Sequence, residues 1–228
     1  MSIAYALLSG VLPALLWLWF WLREDNLHPE PRSLLSISFI SGGIVVIFAI
    51  LAEGFIAEVV SNTQYRYIAW AAVEEIFKFL AVLFIASKLK GVDEPIDAMI
   101  YCITVALGFA GLENTLFVLS PLLQGDIAVS IVTGNMRFIG ATLVHTVSTA
   151  LIGFMIGLSF YRSYFTKFLL TTIGVILAIV LHASFNLSII DGTVTNTLKV
   201  FGWVWLSVIV LMILFEEIKV VKPKSVKG

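Results

Sequence analysis

Residues 34–60 read LLSISFISGGIVVIFAILAEGFIAEVV, with Glu53 and Glu58 as the only charges. A helix crosses the hydrocarbon core of a bilayer with roughly 20 predominantly apolar residues, so this stretch is expected to be a membrane span. Six more stretches meet the same criterion: Ile3–Leu22, Ile68–Ser87, Ile96–Leu119, Met136–Phe160, Phe168–Ile190 and Leu198–Phe215. The first lacks a basic leader and is too long for a signal-peptide core, so it reads as a span rather than a cleaved segment. No hydrophilic stretch between them is long enough for a separate domain.

Composition agrees. The 228-residue chain is 60% hydrophobic and 13% charged, with a mean hydropathy of +1.02. Soluble domains run near 45–50% apolar and about 25% charged. A water-soluble enzyme and a disordered tail are therefore excluded. Fourteen Lys and Arg against fifteen Asp and Glu leave no basic surplus for a nucleic acid. The single cysteine, Cys102, excludes an internal disulfide and a cysteine-cluster metal site. The expected fold is all-α, a polytopic membrane bundle of about seven transmembrane helices, forming one domain over residues 1–228 in a lipid bilayer.

Orientation follows from the cations. Arg23, Arg32, Lys88, Lys90, Arg162, Lys167, Lys219, Lys222, Lys224 and Lys227 all fall on one side of a seven-span topology, against Arg66, Arg137 and Lys199 on the other. The N-terminus is expected outside, and residues 216–228 are expected to form a basic cytoplasmic tail.

The remaining cation, Lys78, lies inside a span with Glu74 and Glu75. Ionisable groups there cost about 2.5–3.5 kcal/mol each and mark functional sites by default. The third span, paying for three of them, is expected to insert only with help from its neighbours. Glu113 and Asn114 lie in the fourth span, His145 in the fifth, and His182 and Asn186 in the sixth.

At a rise of 1.5 Å per residue, Glu74 and Glu75 lie roughly 9–12 Å below the outer surface. Glu113, His145 and His182 fall in the same outer layer, although their helices alternate in direction. Singly, a histidine in a span ordinarily bonds across helices, and asparagines act as packing glue. Alignment in one layer points instead to one site. Glu53 and Glu58 read as interfacial or supporting groups. The run Trp17-Leu18-Trp19-Phe20-Trp21 reads as interface belt and lipid-facing surface.

Lys78 is i+4 from Glu74 and i+3 from Glu75, so it can pair with either. Two adjacent carboxylates in a low-dielectric layer resist ionising together, and Lys78 would keep one charged. That leaves a candidate general base beside a candidate general acid. Two histidines could join the glutamates in holding a metal, or stabilise an oxyanion. The set suits activation of water against an amide carbonyl. No His-Glu-x-x-His helix or Gly-x-Ser-x-Gly elbow is present. A proton-coupled transporter or a non-catalytic sensor could use the same polar cavity, but no inverted repeat or pair of broken spans supports a carrier.

These residues resemble a known family. Glu74-Glu75-x-x-Lys78, Gly108-Phe109-x-x-x-Glu113-Asn114, His145 and His182-x-x-x-Asn186 occur in the order seen in PrsW bacterial membrane proteases. Asp25-x-x-x-Pro29-Glu30-Pro31-x-x-x-Leu35 is similar to that family's N-terminal signature. The resemblance implies a single PrsW-like protease domain in the bacterial plasma membrane, related to the CAAX-type prenyl protease and bacteriocin-immunity superfamily. It implies a single-pass membrane substrate such as an anti-sigma factor, clipped on its outer side to start regulated intramembrane proteolysis in a stress response. A prenyl-peptide protease would be expected to face the cytoplasm instead.

By position, the implied catalytic residues are Glu74, Glu75, Glu113, His145 and His182, supported by Lys78, Asn114 and Asn186. The family has been treated both as glutamate-type and as metalloproteases. If a divalent ion such as zinc binds, the expected ligands are Glu75, Glu113, His145 and His182.

Overall fold

A computed structural model describes residues 2–24, 29–88, 92–190 and 194–222. Asp25 of the N-terminal signature, Lys90, Lys224 and Lys227 lie outside the described residues. The described chain is helical throughout its ordered elements: α1 (Ser2–Glu24), α2 (Arg32–Val59), α3 (Thr63–Lys88), α4 (Asp97–Leu123), α5 (Ile127–Met136), a π turn (Arg137–Ala141), α6 (Thr142–Leu158), α7 (Tyr164–Ile190) and α8 (Val194–Lys219). Since α5, the π turn and α6 run on as one rod, seven long helices result.

Six of the seven are long and apolar enough to cross a membrane. The exception is α3, which carries Arg66, Glu74, Glu75 and Lys78. It packs against α2, α7 and α4.

The fourth span is the hub. Helix α4 packs against α1, α2, α3, α5 and α6, and residues 97–111 are buried without a break. Backbones approach closely there because small residues permit it. A Cβ on Gly108 would lie 1.9 Å from the Phe39 carbonyl oxygen, and one on Gly42 would lie 2.0 Å from that of Val105. Each glycine thus seats against the backbone of the facing helix.

Two expectations need correction. The fifth span begins at Ile127, nine residues before Met136, because the turn after α4 is only three residues long. Gly125 takes φ +84°, and Asp126 caps α5 by accepting from the Val129 N–H at 3.0 Å. The aromatic run of α1 is not all lipid-facing either. Trp19 is exposed, but Trp21 is 2% exposed and its ring lies 5.5 Å from that of Phe215 on α8. Helical periodicity turns every third or fourth member of such a run inward.

Short connections make consecutive helices antiparallel. Arg23, Arg162, Lys167 and Lys219 therefore stand at one end of the bundle. At that end Glu30 of the signature accepts a hydrogen bond from the buried Tyr101 hydroxyl, which ties the segment before α2 to α4. The π turn and the ends of α2, α4 and α7 meet at the other.

Candidate active site

At that other end a cavity of about 700 Å³ is bounded by α2, α3, α4, the π turn, α6, α7 and α8. Aromatic and aliphatic side chains, among them Trp70, Phe117, Phe185 and Phe201, form much of its wall. Glu53, Glu74, Glu113, Arg137, His145, His182 and Asn186, with Tyr67 and Thr197, supply polar groups.

Glu74 is the deepest of the acids that line it. Its Oε2 lies 3.6 Å from His145 Nδ1 and 3.8 Å from His182 Nε2, and it is buried without a hydrogen-bond partner. Behind it, Glu75 is 0% exposed and fully engaged. Its Oε1 accepts from Lys78 Nζ at 2.5 Å and lies 2.8 Å from His182 Nδ1. Its Oε2 accepts from the Thr149 hydroxyl at 2.8 Å. The two members of the double-Glu motif therefore point to different sides of α3, consistent with a 100° step along a helix.

The second imidazole is held in the same manner. His145 Nε2 lies 2.8 Å from Glu113 Oε2, and that oxygen also accepts from Arg137 Nη2. Arg137 Nε donates to Asn114 Oδ1 at 2.6 Å, and Asn114 Nδ2 donates to Thr142 Oγ1 at 2.8 Å. The two rings meet edge to face with centroids 4.8 Å apart.

Each histidine gives its carboxylate-bonded nitrogen the proton, because an ionised carboxylate only accepts. The unprotonated nitrogens, His145 Nδ1 and His182 Nε2, then both face Glu74, and His145 Nδ1 accepts from the Lys78 ammonium. Lys78 Nζ lies 3.1 Å from His145 Nδ1 and 3.9 Å from Glu74 Oε2, with the Phe109 ring beneath it at 4.6 Å.

This donor set fits a divalent ion. Two unprotonated imidazole nitrogens and a carboxylate oxygen without a hydrogen bond converge, and ligand atoms of Glu74, His145 and His182 lie within 4.8 Å of one another; an ion there would replace Lys78 at His145 Nδ1. Tetrahedral zinc with bonds near 2.0–2.1 Å needs ligand atoms about 3.4 Å apart. The carboxylates backing both rings are the usual partners of metal-binding imidazoles. The sequence-based ligand set differs from this one: Glu75 and Glu113 support the rings from behind, and Glu74 supplies the converging oxygen.

Glu30, Asp93 and Asp97 also come within 4.8 Å of one another at the opposite end. There Asp97 Oδ2 accepts from the backbone N–H groups of Asp93 and Glu94, so that cluster organises the turn before α4.

All eight residues singled out in the sequence thus surround one place, with Asn186 on the cavity wall. Two charged residues of that wall were not singled out as site residues. Glu53, read as interfacial or supporting, interacts electrostatically with Glu74 and Glu113. Arg137, counted only as an outer-side cation, reaches both Glu113 and Asn114. Its eight-residue spacing from His145 was the available signal, but a π turn is needed to bring the two onto one face.

A family model described as PrsW family intramembrane metalloprotease matches residues 30–215. The chain belongs to that family. It is 31% identical to the protease PrsW of Geobacillus kaustophilus over 126 residues, covering 53% of this chain and 55% of that protein. Identity to the protease PrsW of Shouchella clausii is 26% over 182 residues, 78% of this chain and 80% of that protein. The Bacillus subtilis protease PrsW is 22% identical over 187 residues, 80% of this chain and 82% of that protein. The alignment with the Geobacillus protein thus spans just over half of its length. No solved structure matches the chain.

Proposed function

We propose that this protein is a bacterial membrane endopeptidase that cleaves a single-pass membrane protein near the outer surface. The observation that carries the reading is Glu74 Oε2, buried without a hydrogen-bond partner between two unprotonated imidazole nitrogens at the cavity wall, one of which accepts from Lys78. An anti-sigma factor is the substrate class that the family resemblance suggests, and the plasma membrane is the location.

In this reading Glu74, His145 and His182 hold a divalent ion, with zinc the best match to a two-histidine, one-carboxylate set. Such an ion supplies Lewis-acid activation of water and of the scissile carbonyl. The chain's own groups do the rest. Glu75 and Glu113 fix the ring orientations and keep the protons on the outer nitrogens. Lys78 balances the charge of Glu75 inside the bundle. Glu53, on the cavity wall beside Glu74, takes the proton from the attacking water and returns it to the leaving amine. The aromatic wall receives an unwound segment of the substrate and excludes bulk water from it.

The outward site follows from the cation asymmetry, which puts Arg23, Arg162, Lys167 and Lys219 at the end away from the cavity. A protease that starts regulated proteolysis at the cell surface needs that orientation.

Comparing membrane-protein N-termini by mass spectrometry, in cells carrying wild type or Glu74→Gln at equal expression, tests the proposal. New termini on outer juxtamembrane segments of single-pass proteins, absent from the variant, are expected. Identical termini under envelope stress would overturn it and favour a carrier or sensor.

A further inference from the structure

Arg137 belongs to no motif that led to this site, yet it sits at its edge on the least regular backbone in the bundle. The π turn Arg137–Ala141 closes with the Thr142 N–H donating to the Arg137 carbonyl, five residues back. Such turns inside α-helices are rare and concentrate at functional sites. Here the geometric effect can be stated.

Eight residues of regular α-helix turn through about 800°, which would leave Arg137 and His145 about 80° apart around the axis. A π turn absorbs one residue, and the offset falls to about 20°. Both side chains then face α4, and both end on the same atom: Arg137 Nη2 and His145 Nε2 contact Glu113 Oε2. In an uninterrupted helix one of them would miss it.

A closed set of bonds holds this arrangement. Arg137 Nε donates to Asn114 Oδ1, Asn114 Nδ2 donates to Thr142 Oγ1, and Thr142 Oγ1 donates back to the Arg137 carbonyl at 3.0 Å. The guanidinium also lies 3.8 Å over the Phe117 ring. Glu113 is therefore gripped from one side by a planar fork that cannot lose its charge. Without it, the carboxylate could rotate into the cavity and release the imidazole.

We propose that Arg137, delivered by the π turn, is the positioning residue for His145: through Glu113 it fixes the ring so that Nδ1 faces Glu74. The inference rests on the protease reading for its purpose. The geometry it claims can be tested without substrate or metal.

The test uses the full chain in lipid nanodiscs, labelled with nitrogen-15 at its three histidines, comparing wild type with Arg137→Gln and Arg137→Lys. In wild type the His145 Nε2 proton is expected to exchange slowly with solvent. In Arg137→Gln its exchange is expected to accelerate about tenfold or more while the His182 ring signal stays unchanged. Arg137→Lys, which keeps the charge but not the fork, is expected to fall between and carries the same comparison if the Gln variant does not fold. Unaltered His145 exchange in the folded variants overturns the proposal.

Turnover supplies an independent readout once a substrate is in hand. Loss of a group that orients a metal-binding imidazole typically costs about 10- to 100-fold, here expected in kcat with KM unchanged. A raised KM with unchanged kcat would also overturn the proposal and put Arg137 on the substrate. Because ring-proton exchange involves no cleavage, a failed protease assay and a failed positioning role give different results.

Discussion

Glu75 Oε1 lies 2.8 Å from His182 Nδ1, so the second glutamate of the Glu-Glu motif faces away from the cavity. It grips an imidazole whose other nitrogen looks toward Glu74. The two adjacent carboxylates thus have different work, and substitution should separate them.

Glu74→Gln is expected to abolish cleavage and leave the fold intact, since no hydrogen bond to Oε2 is lost. Glu75→Gln should cost both. It removes the nearest counter-charge of the Lys78 ammonium, which is 0% exposed, and breaking a buried pair costs about 3–5 kcal/mol. Thermal unfolding in detergent, run beside a cleavage assay, distinguishes them. Equal destabilisation by both variants would mean that the roles assigned here are wrong.

Purified wild type is expected to carry or take up one divalent ion, and chelation should stop cleavage until zinc is restored. Glu74→Gln and His182→Gln should each lower the affinity steeply. Metal analysis by mass spectrometry and a titration with cobalt check this. Full activity after exhaustive chelation would return the mechanism to glutamate and water alone.

Glu53→Gln is expected to retain the metal and lower kcat by about 10²–10⁴-fold, the usual contribution of a positioned acid–base group. KM should change little. A variant with near-normal kcat would limit Glu53 to a place on the wall.

Gly108→Ala tests the packing. The added Cβ would meet the Phe39 carbonyl at 1.9 Å, and overpacking of this kind costs about 1–3 kcal/mol or more. The expected result is a lower melting temperature and poor accumulation. Gly202→Ala, which has nothing within 4 Å, should behave as wild type.

A cysteine at Asn196, near the cavity end of α8, should react with a membrane-impermeant thiol reagent in intact cells. Native Cys102 is buried and should stay silent. Labelling of Asn196→Cys only after lysis would reverse the orientation.

Much of this molecule is legible one residue at a time. Seven apolar stretches announce seven helices because lipid offers no partner to a bare backbone, and a helix satisfies its own. The charged residues inside those stretches stand out because each is costly there. Even the shared depth of Glu74, Glu113, His145 and His182 follows from a fixed rise per residue. Arg137 was opaque for a geometric reason: its relation to His145 assumes a regular helix until the backbone is seen. Glu53 stayed ambiguous because one carboxylate near a span end fits an interface as well as a cavity.

From sequence alone come the membrane setting, the helix count and the membership of one polar layer, since hydropathy, rise and charge cost are local properties. Which carboxylate of Glu74 and Glu75 meets the cavity, and which supports a ring, was decided only when α3 met α6 and α7. So was the π turn that sets Arg137 and His145 on one oxygen. Side-chain direction depends on helix rotation, and rotation is settled by packing between helices rather than by the residues of any one of them.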